Sequence, residues 1–254
     1  MPLAENLEKL EEAIRQACRR AGRRREEIEL MAVSKTYPAE TIAEASALGL
    51  KLFGENRVQE FAGKAPAIAG LRPTPDLFPP LSPEGAGKCP ICVHLIGHLQ
   101  SNKAAKAAEV FDGVDSVDSL RIAERLDSAA AKLGKRLPML VEVKLSPEET
   151  KEGLNPESAD AAELMRALPT LAHVECRGLM TIAPWGAPED VTRSCFRSLR
   201  QWRDVWSAAF PKLKLNVLSM GMSGDFALAI EEGATRIRIG TALFGKCKPY
   251  TGPA

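Results

Sequence analysis

Glu29-Leu30-Met31-Ala32-Val33-Ser34-Lys35-Thr36-Tyr37-Pro38 decides how the rest of the chain is read. The apolar run from Leu30 to Val33 is too short for a helix and has polar flanks, the pattern of a buried strand. Pro38 has no N–H to give a ladder, and Ala39 to Leu48 turns helical. Lys35, at the end of that strand, is placed for partial desolvation, which favours the neutral amine that attacks carbonyls. Taken alone, a lysine that snorkels from the strand end into water is the commoner arrangement. The remaining sequence shifts the balance toward chemistry.

Outward from Lys35, strand and helix alternate with short turns. Strands are expected at 30–33, 51–54, 93–97, 114–117, 139–145, 174–180, 216–220 and 236–239. Helices are expected at 39–48, 55–64, 101–109, 119–133, 156–168, 188–209 and 225–232. Eight strands alternating with helices predict a single (β/α)8 TIM barrel. Leu3, Leu7, Leu10, Ile14 and Ala17 recur at helical spacing, so residues 4–21 form an extra N-terminal amphipathic helix. Arg23-Arg24-Arg25 suits the negative pole of that helix as a solvated end. Residues 66–92 break the rhythm with seven prolines and form a long proline-rich insertion. With no internal repeat and no linker, residues 1–254 read as one domain.

Composition excludes several function classes. Lys plus Arg total 34 against 33 Asp plus Glu, a net charge of +1, so no basic surface argues for nucleic acid. A 45% apolar and 26% charged balance is that of an ordinary globular chain. No apolar run reaches membrane-spanning length, and the N-terminus lacks the pattern of a signal peptide. Six scattered cysteines do not form a disulfide framework. The expected setting is the cytoplasm, with the protein a monomer.

Barrel enzymes carry their chemistry at the C-terminal strand ends. Here those ends hold Lys35, Asn56, His94 to His98, Asp118, Thr181, Ser219 to Ser223, and Gly240-Thr241. Ser219-Met220-Gly221-Met222-Ser223-Gly224-Asp225 and Arg238-Ile239-Gly240-Thr241-Ala242 together suit a phosphate cradle of glycines, hydroxyls and helix N-termini. Taken singly, either loop also reads as turn chemistry, with Ser223 and Asp225 as helix caps. A phosphate site together with a strand-one lysine suggests pyridoxal 5′-phosphate, held as a Schiff base on Lys35. Arg238 would then face the pyridine nitrogen and, staying protonated, would disfavour protonation of the ring. The alternative puts Arg238 and Arg236 outside the barrel in salt bridges; strand alternation sets both on one face.

Ala32-Val33-Ser34-Lys35-Thr36, Phe53-Gly54-Glu55-Asn56, His94-Leu95-Ile96-Gly97-His98-Leu99-Gln100, Gly178-Leu179-Met180-Thr181-Ile182, Leu218-Ser219-Met220-Gly221-Met222-Ser223 and Arg238-Ile239-Gly240-Thr241-Ala242-Leu243-Phe244-Gly245 follow one another in a definite order. In that order the chain resembles the pyridoxal phosphate homeostasis protein family (YggS/PROSC type) from about residue 30 to 245. The resemblance implies a barrel of the alanine racemase N-terminal-domain type, with the cofactor on Lys35. It implies that Ser223, Gly240 and Thr241 hold the phosphate with Ser219 nearby. It also implies that Arg238 faces the pyridine nitrogen and that Asn56 and Met220 line the pocket. No metal is implied. Lys151 matches a loop lysine that receives cofactor in transit.

The sequence departs from the family pattern at Arg57, at Lys144-Leu145-Ser146-Pro147, and in the length of the proline-rich insertion. The implied activity is to buffer the cofactor and deliver it to pyridoxal-phosphate-dependent apoenzymes, without robust turnover. The alternative is a racemase-type enzyme, disfavoured because the sequence given, ending at Ala254, carries no second domain to supply an opposing base. A third reading, a phosphate-binding barrel enzyme acting on a sugar, needs Lys35 to condense with the substrate. Cys89-Pro90-Ile91-Cys92-Val93-His94 with His98 has zinc-like ligand types, but alternate strand side chains diverge, so a structural zinc site is not expected.

Overall fold

The computed structural model describes residues 3–72, 90–145 and 152–245. Its strands are β1 (Glu29–Val33), β2 (Leu52–Glu55), β3 (Cys92–Leu95), β4 (Gly113–Val117), β5 (Leu137–Glu142), β6 (Val174–Met180), β7 (Val217–Ser219) and β8 (Arg236–Ile239). They close in chain order, and β1 pairs with β8 as well as with β2, all in parallel. The helices are α1 (Leu3–Arg20), α2 (Ala39–Ala47), α3 (Val58–Lys64), α4 (Ala104–Val110), α5 (Leu120–Lys132), α6 (Ala159–Ala167), α7 (Glu189–Ala209), α8 (Phe226–Glu231) and α9 (Thr241–Phe244). The expected (β/α)8 barrel with an added N-terminal helix is thus the fold. Of the proline-rich insertion, residues 73–89 lie outside the described residues.

The extra helix has a structural reason. The helix after β8, α9, is only four residues long and is too short to cover its part of the barrel. α1 packs against α8 and α9 and buries Leu3, Leu10, Ile14, Ala17 and Cys18. Asn6 Nδ2 donates to the Leu243 carbonyl at 2.9 Å. The basic triplet is used more fully than a solvated helix end. Arg23 donates to the carbonyls of Ile230 and Ala234 at 3.1 and 2.6 Å, and Arg25 pairs with Glu11 at 2.7 Å. Long-range carbonyl acceptors at the end of α8 leave no local trace, so the sequence could not announce them.

Inside the barrel lies an ionic layer. Arg236 Nη1 reaches Asp115 Oδ2 at 2.8 Å, and its Nε reaches Glu29 at 2.7 Å. β8 and β4 stand on opposite sides of an eight-strand ring, so that contact crosses the interior. His94 Nδ1 meets the other Asp115 oxygen at 2.8 Å. A Cβ at Gly113 would fall 2.6 Å from the His94 ring, so glycine there makes room for the imidazole. Burial alone would raise the Asp115 pKa, but the Arg236 guanidinium and His94 hold it at about 2. Arg236 and Arg238 are both buried, not directed outward to solvent.

Candidate functional site at the barrel mouth

Lys35 sits two residues beyond the end of β1, in a turn, and is exposed. The expectation of desolvation is corrected: the strand stops at Val33, so the lysine side chain stands at the rim. The turn is held from below. Ser34, fully buried, donates from Oγ to Glu55 at 2.7 Å. The Thr36 N–H donates to Glu60 at 2.6 Å, and Thr36 carries a positive φ of 67°, a conformation that a β-branched residue keeps only when its surroundings fix it. Lys64 Nζ joins both carboxylates, at 3.1 Å to Glu55 and 2.6 Å to Glu60, and also reaches the Ser34 carbonyl. On the other side, the Tyr37 hydroxyl donates to the Gly245 carbonyl at 2.9 Å, beside the Phe244 ring. Sequence reasoning missed this brace; its one local signal was the i, i+4 spacing of Glu60 and Lys64.

The loops after β7 and β8 meet as expected of a shared cradle. The Ala242 N–H, in the first turn of α9, donates to Ser223 Oγ at 3.2 Å. Thr241 is exposed and Gly240 half-buried at that turn. Gly221 has φ 91°, and a Cβ there would lie 2.6 Å from Ala229, so only glycine carries the chain between β7 and α8. Asp225 stands at the N-cap position of α8 without a side-chain cap bond, and its carboxylate instead accepts the Met222 N–H at 2.5 Å. Arg238 donates from Nη1 to the Ser219 carbonyl and hydroxyl at 2.7 and 2.9 Å, and from Nη2 to the Thr181 carbonyl at 2.8 Å. Burial lowers its pKa, with Glu142 opposing. Ser219 therefore orients Arg238.

Of the predicted residues, Lys35, Asn56, Ser219, Ser223, Arg238, Gly240 and Thr241 come from the ends of β1, β2, β7 and β8, neighbours in the ring. The Met220 side chain is fully buried in the core cluster, on the face opposite to Ser219 by strand alternation. Asn56 is exposed and lines a cavity of about 260 Å³ shared with Ile96, Gly97, His98, Glu142 and Glu152. A Cβ on Gly97 would fall 2.2 Å from the Asn56 carbonyl, so this glycine allows the close approach of the β2 and β3 ends.

Glu142, 6% exposed, was not among the predicted site residues. A carboxylate ending the apolar run from Met139 was the signal that could have found it. His94 belongs to the ionic layer and so cannot share a ligand set with His98. Burial pushes the Cys92 thiol up to about 11, far from a ready thiolate ligand. Cys89 and Lys151 lie outside the described residues.

A closed parallel barrel with a lysine at the first strand end and a buried arginine on the last defines a class. The family model for the alanine racemase N-terminal domain matches residues 6–248. An alanine racemase of Clostridium difficile shares the fold at 15% identity and TM-score 0.67, over 97% of this chain and 57% of that one. Nearer relatives narrow the class. The pyridoxal phosphate homeostasis protein of Aquifex aeolicus is 41% identical over 249 residues, 98% of this chain and 100% of that protein. The protein of the same name from Pseudomonas aeruginosa is 41% identical, over 99% of this chain and 98% of its own. PipY of Synechococcus elongatus, solved with PLP bound, matches at 40% identity and TM-score 0.79, over 96% of this chain and 100% of that one. The chain belongs to the pyridoxal phosphate homeostasis protein family. Among the described residues, no helix is long and apolar enough to cross a membrane.

Proposed function

We propose that this protein binds pyridoxal 5′-phosphate at the barrel mouth and serves as a carrier that buffers the cofactor and hands it to apoenzymes. The observation that carries this reading is the convergence of the braced Lys35 turn with the Ser223–Ala242 junction and buried Arg238 on adjacent strand ends. A relative that aligns over its whole chain and was solved with PLP bound supports it.

The residues present fit the group. Lys35 supplies the amine that condenses with the cofactor aldehyde. Gly240 and Thr241, with the Ser223 hydroxyl, offer backbone N–H and hydroxyl donors to a phosphate. Arg238, pinned by Ser219 and Thr181, keeps a fixed positive charge beneath the mouth and provides no acceptor for a ring N–H. That arrangement blunts the electron-sink chemistry that the cofactor supplies to enzymes, which favours holding over turnover. Residues 1–254 are read as one domain, supported by a barrel whose strands run from Glu29 to Ile239 without a break in ring order. The monomeric state and the cytoplasm belong to the same reading.

Mixing the loaded protein with a pyridoxal-phosphate-requiring apoenzyme tests the carrier role. Recovery of that enzyme's activity is expected, with no racemisation or decarboxylation of an amino-acid panel by the carrier alone. Robust turnover of any amino acid would establish the racemase-type alternative instead.

A further inference from the structure

Across the ring from the Lys35 arc, the ends of β3, β4 and β5 bring together a second set of side chains. His98, Asp118 and Glu152 each offer one ligand atom, and these atoms lie within 4.8 Å of one another. His98 Nδ1 is 3.4 Å from Asp118 Oδ2 and 3.6 Å from Glu152 Oε2. Charge-assisted hydrogen bonds are shorter, about 2.7–2.9 Å. The observed spacing matches the edge of a tetrahedron of donors about 2.1 Å from a central ion, which is about 3.4 Å.

An independent observation points to the same place. Glu142 lines the cavity that His98 and Glu152 also line, and it is 6% exposed. Among the described residues its carboxylate makes no hydrogen bond or ion pair, and since no fully buried side-chain oxygen there lacks a partner, its oxygens open onto the cavity. Burial pushes Glu142 up to about 7; Arg238 opposes this, while the charges of Asp118 and Glu152 add to it. Arg238 is already committed to Ser219 and Thr181. Lys144 is the cationic member of the cavity lining, outnumbered by carboxylates.

We propose that His98, Asp118 and Glu152 ligate a divalent transition-metal ion, with the Glu142 carboxylate adding to the negative potential of the cavity wall. Imidazole with carboxylates suits Zn²⁺ better than the all-oxygen cations Mg²⁺ and Ca²⁺. With three protein ligands, the fourth position would be open. The proposal is argued without the cofactor reading, and Asn56, which that reading places at the cofactor, lines the same cavity.

Titration calorimetry of the full chain with ZnCl₂, without added cofactor, tests the proposal. One site per chain is expected, weakened at least tenfold by His98→Ala and by Asp118→Asn, with the circular dichroism unchanged. Glu142→Gln, which preserves shape, should weaken binding as well, and Cys92→Ser should not. Absence of stoichiometric binding, binding that survives both His98→Ala and Asp118→Asn, or binding lost in Cys92→Ser would each overturn it.

Discussion

Lys64→Met is expected to destabilise the protein by about 3–5 kcal/mol at pH 8, the usual cost of removing one partner from a buried ionic cluster. Lys64 is the cation shared by Glu55 and Glu60, and its side chain is 10% exposed against 0% and 4% for the carboxylates. Burial raises Glu55 from 4.5 to about 7, with Lys64 opposing. A raised carboxylate means that the folded state binds more protons than the unfolded state between those values. This group's contribution to stability therefore declines as pH rises from about 4.5 to about 7 and levels off above. Without Lys64 the folded pKa moves higher still, so the penalty grows with pH. Urea unfolding should show a wider gap between variant and wild type at pH 8 than at pH 5. An equal gap at both would mean that Lys64 acts through packing alone. Because the same cluster holds the Ser34 carbonyl and the Thr36 N–H, the variant should also bind the cofactor more weakly.

A comparable loss, about 3–5 kcal/mol at pH 7, is expected of Asp115→Ala. The substitution leaves Arg236 with Glu29, which is 44% exposed, and takes from His94 the carboxylate it meets at 2.8 Å. Asp115 has a depressed pKa of about 2, so its contribution is present above the unfolded value of about 3.8 and is lost as pH falls toward 2. Wild type should lose stability steeply in that acid window, and Asp115→Ala should lose less there. Urea midpoints at pH 7 and pH 3 check both statements. A neutral result at pH 7 would mean that solvent reaches the layer.

The barrel was legible because parallel strands covered on both faces read as short apolar runs, each followed by a helical period. The convergence of Lys35, Asn56 and the β7 and β8 loops at one end of the barrel was legible because glycines, hydroxyls and a lysine at strand ends mark that end locally. The interior charges were not. Asp115 and Arg236 are 121 residues apart in sequence, and a charge within a short strand looks like an interruption until its partner across the ring is known. Alternation explains the burial of the Met220 side chain, one residue after the inward-facing Ser219. The exposure of Lys35 depended on where β1 stops, and strand boundaries are the least legible feature of a sequence. Glu60 and Lys64 lie on the buried side of α3, where an i, i+4 pair reads as ordinary surface charge.

Borohydride reduction of the cofactor-loaded protein, followed by peptide mapping, tests the central claim most directly. A visible absorption band that disappears on reduction, with one label on Lys35 and neither band nor label in Lys35→Ala, is the predicted result. A label spread over surface lysines, or a band that persists in Lys35→Ala, would contradict it.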